Sequence, residues 1–380
     1  MKRRSRVILL TFVGAHLFND FYATVLPAFL PALAREWDLD YAELGILSFA
    51  FSLLSGVLQP AFGHFADRAG RRRLVVSAGF LVGGCGFLAM AVAPSFWFVV
   101  AVSSLCGLGT ATYHPQATAF IVEAYPNDRG RMLGLHGWGG SIGHFLAPLV
   151  ATLVIGAADW RWAMFLVGVP IIATSVALRS TLHETAPNPE ARLKGAIGKP
   201  IMVAALAFGL LSVVLATFIT FVVKMLVDEG WSDTAAGAAL TTMLLVGAVA
   251  QPVGGRIYDK FGARRIFVGA NLGTVAAVLV FSQTSGVTSL VAIGVLAMFG
   301  FGLYPVGMAL ASKIGGETRT GASVGVLFGV TGLLSAMARP AVGALAEALG
   351  DIRLALSWTV VFAIAALPFA TQLETDRSAR

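Results

Sequence analysis

Charge is what this 380-residue sequence has least of. Asp, Glu, Lys and Arg together make up 12 %, against about 25 % in soluble domains, which excludes an ordinary soluble enzyme or signalling module. Cysteine is as scarce: Cys85 and Cys106 stand alone in apolar stretches without CxxC spacing. Neither a disulfide framework nor a thiolate metal site is indicated, and both read as small packing residues. There is no Walker sequence, no dinucleotide-binding glycine loop and no HExxH, so nucleotide-driven pumping and metal-dependent hydrolysis find no support. No cofactor and no metal is expected. No polar interval is long enough for a soluble domain, and no low-complexity tract occurs.

Apolar residues fill the space that charge leaves. They make up 57 % of the chain, and the mean hydropathy is +0.80. They come in continuous runs that can cross a roughly 30 Å hydrocarbon core as helices rising about 1.5 Å per residue. Barrel strands would alternate and last only about ten residues. Twelve spans are predicted, at 7–34, 41–65, 74–93, 95–122, 132–157, 161–179, 200–227, 235–258, 265–284, 287–312, 320–345 and 351–371. The basic start MKRRSR resembles a signal peptide, but the run behind it continues to about Ala34, which predicts an uncleaved first span.

Of the 27 Lys and Arg, all but Arg35, Arg161, Lys224, Arg339 and Arg353 lie at the termini or on connections after even-numbered spans. By the positive-inside rule both termini are cytoplasmic. The net charge of +7 is therefore a mark of topology, and no nucleic-acid partner is expected. The opposite face is acidic, with Glu36, Asp38, Asp40 and Glu43.

The chain also repeats itself. QPAFGHFADRAGRRR at 59–73 returns as QPVGGRIYDKFGARR at 251–265. Gly63, Asp67, Arg68, Gly70, Arg72 and Arg73 fall on Gly255, Asp259, Lys260, Gly262, Arg264 and Arg265 at one constant offset, and Pro148 falls on Pro340. Such periodicity predicts two homologous halves: residues 1–180, a cytoplasmic linker at 181–199 carrying Pro187, Pro189, Arg192, Lys194 and Lys199, and residues 200–380.

The duplicated GxxxDxxGxRR loop with six spans in each half resembles the major facilitator superfamily over the whole chain. HLFNDFY at 16–22, the LQP of the second span, YHPQAT at 113–118 and the glycine-rich fifth span are similar to the fosmidomycin-resistance branch of bacterial efflux proteins. The resemblance implies an all-α membrane fold of two pseudo-symmetric six-helix bundles around a midplane cavity. It implies proton-coupled antiport that exports a small anionic or amphipathic compound across a bacterial cytoplasmic membrane, by a monomer whose partners are its substrate, protons and the lipid bilayer. It also implies that Asp67 lies against the start of the eleventh span near Thr320 and Gly321, that Asp259 lies against the start of the fifth near Arg131, and that Arg72 or Arg73 pairs with Glu123. These loops would then gate the cytoplasmic side. The alternative is that their arginines only fix topology. Uptake by symport and an intramembrane enzyme using His and Asp are further alternatives.

The residues themselves point to the first, fourth and fifth spans. Asp20 sits midway through the first, where a carboxylate costs about 2.5–3.5 kcal/mol on insertion scales. His16 is one turn away on the same face, and Asn19 adds an amide. Imidazole titrates near neutrality, so the pair is a candidate proton site or, alternatively, a structural hydrogen-bonded lock. Tyr113, His114 and Gln116 make the fourth span unusually polar. Pro115 and Pro305 recur in both halves and are candidate hinges, whereas His114 has no mate and is a candidate ligand. His136 and His144 lie two turns apart on the fifth span, among glycines that permit close helix approach, with Trp138 as a further candidate for the cavity. Pro148 and Pro340 are candidate hinges on the fifth and eleventh spans. Arg339 lies inside a span and cannot shed its charge. It either meets an anionic substrate, as the resemblance implies, or snorkels to water or Glu347.

Overall fold

The computed structural model describes residues 3–125, 128–187 and 197–373, with side chains left out at 3–4, 129–130 and 316–322. Residues 188–196 of the expected linker, including Pro189, Arg192 and Lys194, lie outside the described residues, as does the side-chain environment of Thr320 and Gly321. Every described element is a helix: α1 (Arg3–Trp37), α2 (Tyr41–Val57), α3 (Gln59–Ala69), α4 (Arg72–Ala91), α5 (Phe96–Ala111), α6 (Tyr113–Ala124), α7 (Arg129–Ala157), α8 (Trp160–Thr181), α9 (Lys199–Asp228), α10 (Asp233–Gln283), α11 (Gly286–Gly302), α12 (Tyr304–Leu349), α13 (Ile352–Trp358) and α14 (Val360–Gln372). A backbone in hydrocarbon must satisfy its own hydrogen bonds, and the helix does so within one segment.

Among the described residues, eleven helical stretches are long and apolar enough to cross a membrane. The longest, α10, holds two expected spans and changes direction at Gly262, whose φ of 77° and ψ of 171° are not helical. Its repeat mate Gly70 ends α3 in the left-handed region at φ 66°. Both positions use backbone space that side chains rarely enter. Where spans are interrupted, proline sits just inside the next helix. α3 begins Gln59-Pro60, α6 carries Pro115 at its third residue, and α12 begins Tyr304-Pro305. Ring and missing N–H together interrupt the ladder there. Side-chain caps close other ends: Ser95 accepts from the Phe98 amide, Asp159 from Arg161, and Asp351 from Arg353 and Leu354.

The chain divides into two compact units. One comprises Met1–Leu39, Ala50–Leu193 and Trp231–Thr241. In it α1 packs on α7 and α8, α4 packs on α5 and α8, and α3 packs on α6. Arg35 and Arg161 hold Asp233 and Glu36 at 2.8 and 2.9 Å. The other comprises Asp40–Phe49, Lys194–Gly230 and Thr242–Arg380. Its centre is α9, buried along most of its length against α12 and α14. There the Tyr41 hydroxyl donates to Asp228 at 2.6 Å, the Tyr41 amide donates to Glu347 at 2.9 Å, and Arg353 pairs with Glu229 at 2.8 Å.

Candidate functional site

The polar residues of the first, fourth and fifth spans converge inside the first unit. Close approach of α7 to α1 makes this possible. A Cβ at Gly139 would run into the Val13 carbonyl, and one at Gly143 into the Leu17 carbonyl. Between them, a Cβ at Gly140 would overlap Asp20 Oδ2 and His16 Nε2. Glycine at this face therefore lets α7 lie over the His16–Asp20 pair.

Asp20 and Asn19 are 9 % and 0 % exposed, and His16 and His136 are 8 % and 5 %. His16 Nε2 lies 3.1 Å from Asp20 Oδ2. His114 Nε2 is 3.8 Å from Asp20 Oδ1, and His144 Nδ1 is 3.8 Å from Oδ2. Asn19 Nδ2 donates to Asp20 Oδ1 at 2.8 Å. One carboxylate is thus ringed by three imidazoles and an amide. The rings of His16 and His136 stack at 4.0 Å between centroids. The buried proton site and its structural-lock alternative share this geometry.

Carbonyl oxygens only accept hydrogen bonds, and that assigns the ring hydrogens. His16 Nδ1 donates to the His136 carbonyl at 2.8 Å, so Nε2, facing Asp20, carries no hydrogen in the neutral ring. Tyr113 donates to the Phe12 carbonyl at 2.7 Å and receives His136 Nε2–H at 2.8 Å. Thr24 donates to the Asp20 carbonyl at 2.8 Å and receives His144 Nδ1–H at 2.9 Å. A bare nitrogen lone pair and a carboxylate oxygen at 3.1 Å repel, unless a positive charge lies between them. A proton on Nε2 makes the ring an imidazolium and turns the contact into a charge-assisted hydrogen bond. His16, Asp20 and His114 each offer one donor atom, all within 4.8 Å of one another, as residues that could hold a metal ion do. No linear motif announces this set, because its third member comes from another helix.

Other expected residues lie elsewhere. Gln116 is buried beside the cluster's helix and donates to the Phe62 carbonyl at 3.3 Å. Trp138 is 71 % exposed and joins no described polar contact of the cluster. Arg339 belongs to the second unit, where its Nε donates to Thr220 Oγ1 at 2.9 Å. Glu347, one of the groups Arg339 was expected to reach, receives the Tyr41 amide instead.

The first signature loop is clamped. Arg72 holds both Asp67, at 2.7 Å, and Glu123, at 3.2 Å. Gly63 lets α3 approach Pro115 closely, since a Cβ there would stand 3.1 Å from the proline ring. In the second loop Asp259, Lys260, Arg264 and Arg265 are exposed, and Gly255 has open space around it. Among the described residues, no counterpart of the Arg72 clamp on Asp67 is seen at Asp259, which is exposed.

Two participants escaped sequence reasoning. Thr24, one turn beyond Asp20, orients His144, and its spacing was the available signal. Glu184 accepts the amides of Arg73 and Leu74 at 3.2 and 3.1 Å and pairs with the Arg73 guanidinium. It places an anion at the positive start of α4, and no sequence proximity hinted at it.

A family model described as Major Facilitator Superfamily matches residues 12–228 and 201–371. An uncharacterized MFS-type transporter, YfnC, of Bacillus subtilis (strain 168) is 28 % identical over 365 residues, covering 90 % of this chain and 87 % of that protein. The fosmidomycin resistance protein of Escherichia coli (strain K12) is 25 % identical over 289 residues, covering 71 % and 70 %. Among solved structures, a bacterial homolog of the human lysosomal transporter Spinster, inward-facing and occupied, superimposes with a TM-score of 0.82 over 97 % of both chains at 17 % identity. That likeness is one of fold.

Proposed function

We propose that this chain, which belongs to the major facilitator superfamily, exports a small anionic or amphipathic compound by alternating access in exchange for protons. The observation that carries the reading is Asp20, a carboxylate buried in a membrane-crossing helix with His16, His114 and His144 around it. A charge so costly in hydrocarbon marks a functional position by default. A proton placed between His16 Nε2 and Asp20 Oδ2 cancels their repulsion, and its departure restores it. That difference is what a coupling site needs in order to bias one conformation over another.

Export is favoured over uptake by similarity to a resistance protein. The basic connections favour cytoplasmic termini in a bacterial cytoplasmic membrane. An anionic substrate is favoured by Arg339, whose described hydrogen bond is to a neutral hydroxyl rather than to a carboxylate. The clamp of Arg72 on Asp67 and Glu123 is the candidate cytoplasmic gate, with Pro115, Pro148, Pro305 and Pro340 as hinges.

Inverted membrane vesicles given an inward-acid pH gradient test this. Accumulation of an anionic test compound that collapses with a protonophore supports export. Accumulation without proton dependence removes the coupling, and movement only down the compound's own gradient removes active transport altogether.

A further inference from the structure

We propose that His16, Asp20 and His114 form a binding site for a divalent transition-metal ion of the zinc class. The idea uses residues of the proton-coupling reading but does not depend on it.

Zinc takes nitrogen and oxygen ligands at about 2.0–2.2 Å in a tetrahedron, which sets ligand atoms about 3.3 Å apart. Here His16 Nε2 is 3.1 Å from Asp20 Oδ2 and His114 Nε2 is 3.8 Å from the other oxygen, Oδ1. One donor atom from each of the three residues lies within 4.8 Å of the others. His16 and Asp20 lie on one helix face, and His114 arrives from α6.

The surroundings match what ligands require. A ligating histidine donates its other ring N–H to a carbonyl or carboxylate, which fixes the tautomer and aims the free lone pair. His16 does this through Nδ1 to the His136 carbonyl. A ligating carboxylate is itself held by hydrogen bonds, as Asp20 is by Asn19. His144 is excluded as a ligand through Nδ1, because that hydrogen is committed to Thr24. The space beside His16 Nε2 and Asp20 Oδ2 exists because residue 140 is glycine, and any Cβ would fill it.

Three protein ligands leave a fourth position open, the pattern of sites whose metal takes up an exchangeable partner rather than of closed structural sites. The His114 side chain is 40 % exposed, so one ligand of the three is not sealed in the interior. Two imidazoles and one carboxylate suit zinc, cobalt, nickel or copper, and suit magnesium and calcium poorly.

The experiment uses the full chain, purified in detergent with any affinity tag removed and stripped with chelator. Zn²⁺ alone is titrated by calorimetry, with Mg²⁺ and Ca²⁺ as comparisons, and Co²⁺ binding is followed by visible absorption. Expected are one Zn²⁺ per chain in the micromolar range or tighter, no heat with Mg²⁺ or Ca²⁺, and the visible bands of four-coordinate Co²⁺. His114→Ala and Gly140→Ala should each weaken Zn²⁺ about tenfold or more, while His183→Ala, an exposed histidine elsewhere, leaves it unchanged. Absence of Zn²⁺ binding by the wild-type chain overturns the proposal, as does affinity that His114→Ala leaves intact. If either variant fails to fold, the Co²⁺ spectrum of the wild-type chain decides, and octahedral-type bands overturn the site. Proton-driven transport measured in chelator is a separate readout. Its loss in Asp20→Asn speaks to coupling whether or not zinc binds, so the two readings fail separately.

Discussion

His16 gives its Nδ1 hydrogen to the carbonyl of His136, 2.8 Å away and 120 positions further along the chain. That bond ties α1 to α7 and leaves His16 Nε2 bare toward Asp20, which is why the carboxylate is the place to test first. Asp20→Asn keeps shape and removes the charge. In vesicles it should abolish accumulation driven by a pH gradient while leaving solute exchange without a gradient measurable. Unchanged dependence on the gradient would remove Asp20 from coupling.

Tyr113 links the Phe12 carbonyl and His136 Nε2–H through one hydroxyl, with no exposure to solvent. Tyr113→Phe leaves the His136 Nε2–H buried and unpaired, while the Phe12 carbonyl keeps its helical hydrogen bond, at a cost of about 1–3 kcal/mol. A lowered unfolding midpoint in detergent is expected, together with a change of the His136 ring tautomer visible in nitrogen NMR. A His136 ring that carries its hydrogen on Nδ1 in the wild-type chain would contradict the assignment.

Gly139 and Gly143 sit against backbone carbonyls of α1, whereas Gly134 and Gly137 on the same helix have open space. Alanine at 139 or 143 should destabilise by about 1–3 kcal/mol through overpacking. Alanine at 134 or 137 should be neutral or slightly stabilising. Equal effects at all four, read by thermal denaturation, would mean that α7 does not approach α1 as described.

Arg72 grips Asp67 and Glu123, the latter with a largely exposed carboxylate. Partly solvated pairs of this kind contribute at most about 1 kcal/mol each. Asp67→Asn should therefore scarcely alter stability but should slow turnover, if the clamp is a gate. Full turnover by Asp67→Asn assigns the arginines to topology alone.

Gly262 holds φ 77° and ψ 171° inside a run of helix, a region open essentially to glycine. Gly262→Ala should cost about 1–3 kcal/mol, and Gly255→Ala, with nothing near it, should not. Matching unfolding midpoints for the two variants would disprove the turn between the halves of α10.

Much of this was legible in the chain. Continuous apolar runs fix the helices, because hydrocarbon offers backbone groups no other partner. The repeat pairs Gly70 with Gly262, and both adopt positive φ. Asp20 stands out because its cost is local and computable from one position. What the sequence hid is contact between distant positions. Glu184 meets Arg73 across 111 residues, and Thr24 reaches His144 across 120. Identical letters also differ in their described surroundings. Asp67 is clamped while Asp259 is exposed, since a duplicated motif fixes its own turn and not the side chains that surround it. Trp138 is largely exposed, and depth along a helix does not say toward which surface a face turns.

The hydrogen-bond line from Phe12 through Tyr113 and His136 to His16 passes through two backbone carbonyls. Carbonyls accept hydrogen but hand none onward, so Grotthuss hopping stops at both ends of this line. In the proton coupling proposed above, Asp20 would have no relay along this line, and exchange would run past His114 or His144, whose side chains are 40 % and 35 % exposed. For the proposed exchanger such wiring would act as an insulator, keeping a coupled carrier from becoming a proton leak.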